Sequence, residues 1–255
     1  MLKNLTHKHK HKHKQQPNQS TMSNKFWNSF SIVLNILIEE ISIQQKVFTE
    51  AYTNLDNIEL VNMLLEYAEI DPSVNKNAAI RLASYNGHIA VVERLLQEDR
   101  SRVDPSVYNN YMIRVASKYG HIAVVDRLLQ DGRVDPSAND NYAIQLASRN
   151  GYIAVVDRLL QDRRVDPSVK DNLAIQWASE NGHVAVVDRL LQDGRVDPSA
   201  NNNNAICQAT YACYISVIDR LLQDLRVNPS DFNNDAILYA SNEHIVVVNR
   251  KVYYL

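Results

Sequence analysis

The tripeptide Asp-Pro-Ser returns at a nearly constant interval along this chain. Six of the seven prolines lie in this slot, and successive copies are separated by 33, 31, 31, 31 and 31 residues. The copies begin at Asp71, Asp104, Asp135, Asp166 and Asp197, with Asn228 beginning a sixth. A period of this length predicts a solenoid in which each unit is one supersecondary motif stacked on the next.

Within each unit an asparagine, an isoleucine and an alanine follow one another at three-residue steps. The asparagines are Asn77, Asn110, Asn141, Asn172, Asn203 and Asn234. Asparagine accepts hydrogen bonds from exposed amides at a helix start, so we predict that it caps a first helix such as Tyr142 to Asn150. Four units end this helix with a glycine, at Gly87, Gly120, Gly151 and Gly182. Cys213 takes that slot in the fifth unit, which predicts a looser helix end there.

A second apolar run follows the glycine, and in residues 122–129 it reads Ile-Ala-Val-Val-Asp-Arg-Leu-Leu. Helical spacing places four residues of this run on one buried face: Ile122, Val125, Leu128 and Leu129. The acidic residues outside this face, which we predict to be solvated, are Asp126, Asp157, Asp188 and Asp219. The proline-containing segment between units favours a tight turn. Each unit is therefore turn, helix, turn, helix, which predicts an all-α solenoid whose units depend on their neighbours for stability.

The run from Gly120 to Leu129 resembles the Gly-His, Val-Val, Leu-Leu second helix of ankyrin repeats, and the run from Gly182 to Leu191 resembles it equally. The resemblance covers residues 56–255. The usual Thr-Pro-Leu-His of the family is replaced, for example by Tyr-Ala-Ile-Gln at residues 142–145, and the unit is two residues short of the usual length. This asparagine-rich variant is similar to the expanded ankyrin families of amoeba-infecting giant viruses and some protists.

The resemblance also divides the chain. We expect a disordered His/Lys-rich tail at residues 1–20, a divergent helical cap at residues 21–55, and the repeat array at residues 56–255. The array is expected to begin with a half-unit at residues 56–70 and to end with a terminal half-unit from residue 228. Between them, whole units start near residues 71, 104, 135, 166 and 197.

Composition narrows the classes of partner. Five of the 27 basic residues and none of the 29 acidic residues lie in the first fourteen positions, so the rest of the chain carries a net charge of about −7. An acidic body makes nucleic acid an unfavoured partner.

The most apolar stretch, residues 26–38, is too short to span a membrane. Two cysteines suit a reducing compartment, so we expect an intracellular, cytoplasmic protein (host cytoplasm if viral), with the nucleus as an alternative, and we expect a monomer.

The ankyrin resemblance implies protein recognition through the tips of the units and the exposed side of the first helices, which together form a concave surface. The copies differ most at these slots, and two adjacent units concentrate aromatic and cationic residues there. The predicted partner-binding residues are Tyr108, Tyr111, Lys118, Tyr119, Tyr142 and Arg149. The alternative is that these tyrosines cover neighbouring repeats with their rings. Trp177 takes a slot of mixed residues, which predicts partial burial and packing.

Other functions have weaker support in the sequence. An adaptor could use residues 20–55, where Phe26, Trp27 and Phe30 would contact a machine such as a ubiquitin ligase. The alternating His/Lys run of residues 7–14 is a candidate for binding nucleic acid or a metal, although unselected low complexity is the favoured explanation. The histidines at the second-helix starts, His88, His121, His183 and His244, are expected to make structural hydrogen bonds. We expect no catalytic site, cofactor or metal, because neither a phosphate-binding loop nor a paired nucleophile and base is present.

Overall fold

The computed structural model describes residues 43, 45–46, 48–49, 57–67, 70–98, 103–228, 245–248 and 251–254. The chain divides into two compact units, residues 1–46 and 47–255. The helices of the second unit are α1 (Ile58–Tyr67), α2 (Val74–Asn86), α3 (Ile89–Leu96), α4 (Val107–Lys118), α5 (Ile122–Leu129), α6 (Ala138–Arg149), α7 (Ile153–Leu160), α8 (Val169–Glu180), α9 (Val184–Leu191), α10 (Ala200–Tyr211) and α11 (Ile215–Leu222). Two short strands follow, β1 (Ile245–Val248) and β2 (Lys251–Tyr254).

Five helix pairs form repeats 1 to 5, which begin at residues 71, 104, 135, 166 and 197. The first helix of each repeat packs on the first helix of the next. The second helices pack on one another in the same way, so the helices form two rows. A single apolar core runs between the two rows from Phe48 to Val227. The isoleucine of each first helix is fully buried, as Ile144 illustrates, and so is the valine that closes each repeat, as Val165 illustrates. The predicted all-α solenoid of repeated helix pairs is confirmed.

Each first helix opens with three consecutive residues in the left-handed conformation, which we call the left-handed turn. Its members are residues 75–77, 108–110, 139–141, 170–172 and 201–203, with φ and ψ both positive throughout. A side chain disfavours this conformation by about 1–2 kcal/mol per residue, and asparagine and aspartate tolerate it best. Twelve of these fifteen residues are Asn or Asp, so the backbone of the turn accounts for the asparagine-rich composition.

The left-handed turn changes the role of the repeated asparagine. We predicted that Asn141 caps its own helix, and this is wrong. Its side chain is buried, and its Oδ1 accepts a hydrogen bond from the backbone N–H of Asp166, in the next repeat, at 2.8 Å. The left-handed backbone carries the side chain away from its own helix and towards the neighbour. The same bond joins Asn77 to Asp104, Asn110 to Asp135, Asn172 to Asp197 and Asn203 to Asn228.

The Asp-Pro-Ser segment and the following turn are held by short-range bonds. In repeat 3 the Asp135 Oδ1 accepts from both the backbone N–H and the hydroxyl of Ser137, at 2.9 and 2.6 Å. The N–H of Asn141 then donates to the Ser137 carbonyl at 2.7 Å. Carbonyls of the left-handed turn receive side-chain donors, as where Gln145 Nε2 donates to Asp140 O at 2.6 Å. The tip of each unit is thus this left-handed turn.

An arginine clamp, which the sequence analysis did not foresee, joins each of repeats 2 to 5 to the repeat before it. Arg164 donates to both carboxylate oxygens of Asp162, at 2.9 and 2.7 Å, and reaches the Val134 carbonyl of the preceding repeat at 2.8 Å. Hydrogen bonds from the guanidinium hold the pKa of Asp162 below its usual value. Arg133, Arg195 and Arg226 form the other three clamps.

The second helices carry a further row of ion pairs on their outer side. Arg158 pairs with Asp126 at 2.6 Å, and Arg189 pairs with Asp157 at 2.7 Å, each arginine reaching back one repeat. Asp126 was predicted to be merely solvated, whereas it is half exposed and paired. Val124 and Val125 are fully buried on this helix. The prediction of a buried Ile122 is wrong: it is 38% exposed, because it lies at the edge of the buried stripe.

Each glycine at the end of a first helix lies under an aromatic ring from the following repeat. Gly151 has a φ of +77°, and a Cβ added there would lie 2.6 Å from the His183 ring. Tyr152 covers Gly120 in the same way. Both the left-handed φ and the ring therefore require glycine. Cys213 keeps this conformation with a φ of 59°, so the fifth repeat retains the geometry despite its side chain.

The two strands form an antiparallel pair in which Ile245 lies opposite Tyr254 and Val248 opposite Lys251. The all-α assignment did not include them, since the sequence places a terminal helical half-unit in this region. The run of three valines and the paired tyrosines favour extended backbone, because β-branched and aromatic residues suit a pleated surface. Strand β2 contacts α11, the last helix of repeat 5.

Candidate functional site

An open cleft lies on the exposed side of the first helices of repeats 1, 2 and 3. Its volume is about 190 Å³. We call it the tyrosine cleft, and its lining residues are Tyr85, Tyr111, Arg114, Val115, Lys118, Tyr119, Tyr142 and Leu146. Val115 and Leu146 are buried and form an apolar floor, whereas the tyrosines and the two cations are partly exposed. The cleft therefore offers an apolar base surrounded by polar aromatic groups.

Tyr85 and Tyr119 form a ring pair across the junction between repeats 1 and 2. Their centroids are 4.7 Å apart and their planes are tilted by 59°. The hydrogen bond between their side chains lowers the pKa of Tyr119 and raises that of Tyr85, and the nearby charge of Lys118 also lowers the pKa of Tyr119. The Lys118 ammonium lies 5.2 Å from the Tyr119 ring centroid, within the range of a cation–π interaction.

Scaffold contacts fix this ring pair in place. The Nε2 of His121 lies 2.9 Å from the carbonyl oxygen of Tyr85, so the ring that covers Gly87 also binds the end of the helix that carries Tyr85. The Tyr119 and His121 rings stack with centroids 6.3 Å apart. The bonds that join repeats 1 and 2 thus also position the aromatic wall of the cleft.

Arg114 connects the cleft to the left-handed turn of repeat 2. Its Nε donates to the Asn109 carbonyl at 3.0 Å and its Nη2 donates to the Tyr108 carbonyl at 2.7 Å. Its guanidinium carbon lies 5.8 Å from the Tyr111 ring centroid. The two carbonyl bonds and the ring hold the guanidinium at the edge of the cleft, so little side-chain entropy remains to be lost on binding.

The other predicted residues flank the cleft on two sides. Tyr108 lies in the left-handed turn, 48% exposed, with Lys76 at 5.5 Å and Arg81 at 5.1 Å from its ring centroid. On the opposite side, Arg149 lies 5.3 Å from the ring centroid of Trp177. That ring meets Tyr142 edge-on with centroids 6.1 Å apart. Trp177 is half-buried, as its mixed slot predicts.

Of the six predicted residues, the structure brings four together in the tyrosine cleft: Tyr111, Lys118, Tyr119 and Tyr142. Tyr108 and Arg149 lie beside it. The sequence analysis missed two lining residues, Tyr85 and Arg114. Tyr85 occupies the slot of Lys118 one repeat earlier, so the periodicity could have identified it. Arg114 occupies a slot that the sequence analysis did not compare between copies.

The alternative interpretation was that these tyrosines cover neighbouring repeats with their rings. It accounts for part of the ring surface, since the rings do contact neighbouring repeats. The rings of Tyr85, Tyr108 and Tyr119 nevertheless remain 41%, 48% and 37% exposed. The remaining exposed area is available to a ligand.

The other candidate sites have different outcomes. The Nε2 of His183 lies 2.9 Å from the Arg149 carbonyl, so this histidine makes the structural hydrogen bond that we expected. Within the described ranges no cluster of three or more His, Cys, Asp or Glu residues could hold a metal ion, and no helix there is long and apolar enough to cross a membrane. The His/Lys run of residues 7–14, the aromatic residues at 26, 27 and 30, and His244 lie outside the described residues.

The family model described as ankyrin repeats (3 copies) matches the chain three times, at residues 48–140, 81–171 and 144–233. These overlapping matches cover most of the sequence and all five repeats. The chain belongs to the ankyrin repeat family. Ankyrin repeats are in general modules of protein–protein interaction, so recognition of a protein is the function that the family supports. A search of curated proteins finds no match, and similarity to giant virus sequences stays a prediction.

Proposed function

We propose that this ankyrin repeat protein is a non-enzymatic scaffold that binds a partner protein at the tyrosine cleft. The observation that supports the proposal most directly is that three repeats contribute four tyrosines and two cations to one opening. Tyrosine and arginine are enriched at the centres of protein interfaces, where a rigid apolar ring and a polar edge can both be used. The sequence resemblance makes a cytoplasmic protein of the cell, or of a host cell, the first class of partner to test.

Repeat 4 supplies a variant that removes the cleft and leaves the scaffold bonds intact. It carries Leu, Gln, Glu and Asn at the slots of Tyr111, Arg114, Lys118 and Tyr119. A transplant variant with Tyr111→Leu, Arg114→Gln, Lys118→Glu and Tyr119→Asn therefore contains only residues that this backbone already accommodates. Gln176 and Asn181 both donate to carbonyls of their own helix region, so their copies in repeat 2 can do the same.

The test compares the intact chain, the transplant variant and Tyr211→Ala as bait for proteins of a candidate host lysate. Tyr211 is 69% exposed in repeat 5, so its replacement removes an exposed ring away from the cleft. We expect a partner that the intact chain and Tyr211→Ala retain and that the transplant variant loses. The purified partner should then bind the transplant variant at least about tenfold more weakly, a loss of about 1.4 kcal/mol. Equal binding by all three proteins would overturn the proposal.

A further inference from the structure

Charge is distributed unevenly along the first helices. Helices α2 and α4 each carry two cations and no carboxylate, α6 carries one of each, α8 carries one cation and two carboxylates, and α10 carries neither. Each second helix from α3 to α11 carries one carboxylate and one arginine. Among the helices of the repeats, a local excess of positive charge therefore occurs only around the tyrosine cleft, although the chain beyond residue 14 is acidic.

Arg114 and Lys118 line the cleft, and three more cations lie on the first helices of the same three repeats: Lys76, Arg81 and Arg149. Of the ten other arginines that the structure describes, eight pair with carboxylates, as in the clamp of Arg195 with Asp193 and the outer pair of Arg220 with Asp188. Among the described residues no ion pair joins any of the five to a carboxylate. Each instead lies within 6 Å of an aromatic ring centroid. An aromatic ring orients a cation and leaves its charge uncompensated.

Carboxylates on the neighbouring turns already have partners. Asp104 accepts two hydrogen bonds from Ser106, one from the backbone N–H and one from the hydroxyl. Asp140 pairs with Lys170 at 3.1 Å. The charge around the cleft is thus left for a ligand from outside the array.

We propose that the tyrosine cleft binds an acidic peptide segment of the partner protein. Carboxylates of the segment pair with Lys118 and with the Nη1 of Arg114, which no described residue accepts from, and an apolar side chain of the segment rests on Val115 and Leu146. This inference deepens the proposed function, on which it rests, by giving the chemistry of the partner. Electrostatic complementarity of this kind selects partners and accelerates association.

Single-stranded nucleic acid is the other polyanion that cations and tyrosines can bind, and the ring geometry argues against it. Bases stack on open aromatic faces. Here cations lie over the rings of Tyr108, Tyr111 and Tyr119, and Tyr85 packs against Tyr119 at 4.7 Å. One face of each of these three rings is therefore covered by a cation, which disfavours a continuous stack of bases.

The experiment uses a random peptide library displayed on phage and three full-length baits. The first bait is the intact chain, and the second is a charge variant with Arg81→Gln, Arg114→Gln and Lys118→Gln. Glutamine already fills the arginine slot in repeats 3 and 4, where Gln145 and Gln176 each bind one turn carbonyl, so each tip keeps one of its two side-chain bonds. The third bait, with Arg158→Gln, Arg189→Gln and Arg220→Gln, loses the same charge from the second helices. Thermal unfolding followed by circular dichroism confirms that all three fold.

We expect the peptides selected by the intact chain and by the third bait to be enriched in Asp and Glu, and their synthetic forms to bind the charge variant about tenfold more weakly. Selected peptides that need the cleft residues of the transplant variant but lack acidic enrichment would overturn this inference and leave the proposed function standing. Peptides that bind the transplant variant as well as the intact chain would overturn both. An oligothymidine that displaces the acidic peptides at equal concentration would overturn the assignment to a peptide.

Discussion

In repeat 2 and in repeat 4, the same asparagine, histidine and arginine-clamp bonds join the unit to its neighbours, yet the exposed slots of the two first helices share no residue. Asn110 and Asn172 each accept from the next repeat at 2.8 Å. The Nε2 of His121 and of His183 each lie 2.9 Å from a carbonyl of the preceding repeat. At the four slots replaced in the transplant variant, repeat 2 has Tyr, Arg, Lys and Tyr, and repeat 4 has Leu, Gln, Glu and Asn.

The comparison separates the slots that bond to a neighbouring repeat from the exposed slots at which we propose that the partner binds. Slots that bond to a neighbouring repeat, such as those of Asn110 and Gly120, are limited by a left-handed backbone or by a ring above them. Slots on the exposed side, such as those of Tyr111 and Lys118, meet no such limit. A substitution at the asparagine or glycine slot should therefore cost the same free energy of unfolding in both repeats.

The largest loss of stability is expected at the asparagine that joins one repeat to the next, and this loss should be equal in repeats 2 and 4. Asn110→Ala and Asn172→Ala should each lower the free energy of unfolding by about 3 kcal/mol, from a part-buried bond whose N–H donor is left unpaired (about 2) and a left-handed residue without asparagine's tolerance (about 1). Urea unfolding measures both. Asn109→Ala, an exposed residue of the same turn, should lose only the second part. Unequal losses at the two asparagines would break the comparison.

A smaller effect is expected at the glycine beneath the ring. Gly182→Ala should cost about 2 kcal/mol, because the residue has a φ of +74° and the new Cβ would lie 2.6 Å from the ring of Tyr214. Gly120→Ala should match it, since its Cβ would meet the Tyr152 ring at 2.5 Å. Gly194→Ala is the control, because nothing lies within 4 Å of its added Cβ. Thermal melts in which all three variants shift equally would contradict this account.

The smallest loss of stability is expected at the arginine clamps, and it should differ between repeats 2 and 4 because the two clamps differ in exposure. Arg133→Gln should cost about 1.5 kcal/mol at pH 7 and Arg195→Gln less, since the arginine side chains are 20% and 41% exposed. Hydrogen bonds from Arg133 lower the pKa of Asp131, so this stabilisation is complete above the ordinary carboxyl pKa of about 3.9 and is lost as pH falls through the lowered value. Urea titrations from pH 7 to pH 2.5 should show the cost of Arg133→Gln falling only at the acid end, to the part that the non-titrating bond to the Val103 carbonyl contributes. A cost that stays constant over this range would refute the clamp.

Much of the fold follows from the sequence, because the period and the apolar spacing are local signals. The second helix, the glycine slot and the stacking of units were predicted correctly. The asparagine slot was recognised, but the partner of Asn141 lies 25 residues downstream, and only a left-handed turn directs the side chain there. Three consecutive left-handed residues are rare enough that spacing alone does not predict them. The clamp of Arg164 was missed for the same reason, since its carbonyl partner belongs to the preceding repeat.

The candidate site was predicted in part. Comparison of slots identifies Tyr111 and Tyr142 because they vary between copies. It does not show that Tyr85, from the repeat before, closes the cleft by packing on Tyr119, since this depends on the stagger between helices. The role of Arg114 depends on the turn carbonyls that it binds, which are exposed to side chains by the left-handed backbone.

The positions of the hydrogen bonds between repeats have a consequence for the evolution of the repeat array. Each repeat carries an asparagine acceptor for the unit after it and an arginine donor for the unit before it. Every junction is therefore formed by the asparagine of one unit and the arginine of the next. Excision or duplication of any 31 consecutive residues between Asp104 and Val227 would bring together two complementary halves and leave no unmatched junction. Unequal recombination can therefore lengthen or shorten this gene within the array without a misfit in the product, which gives new combinations of exposed side chains on an unaltered framework.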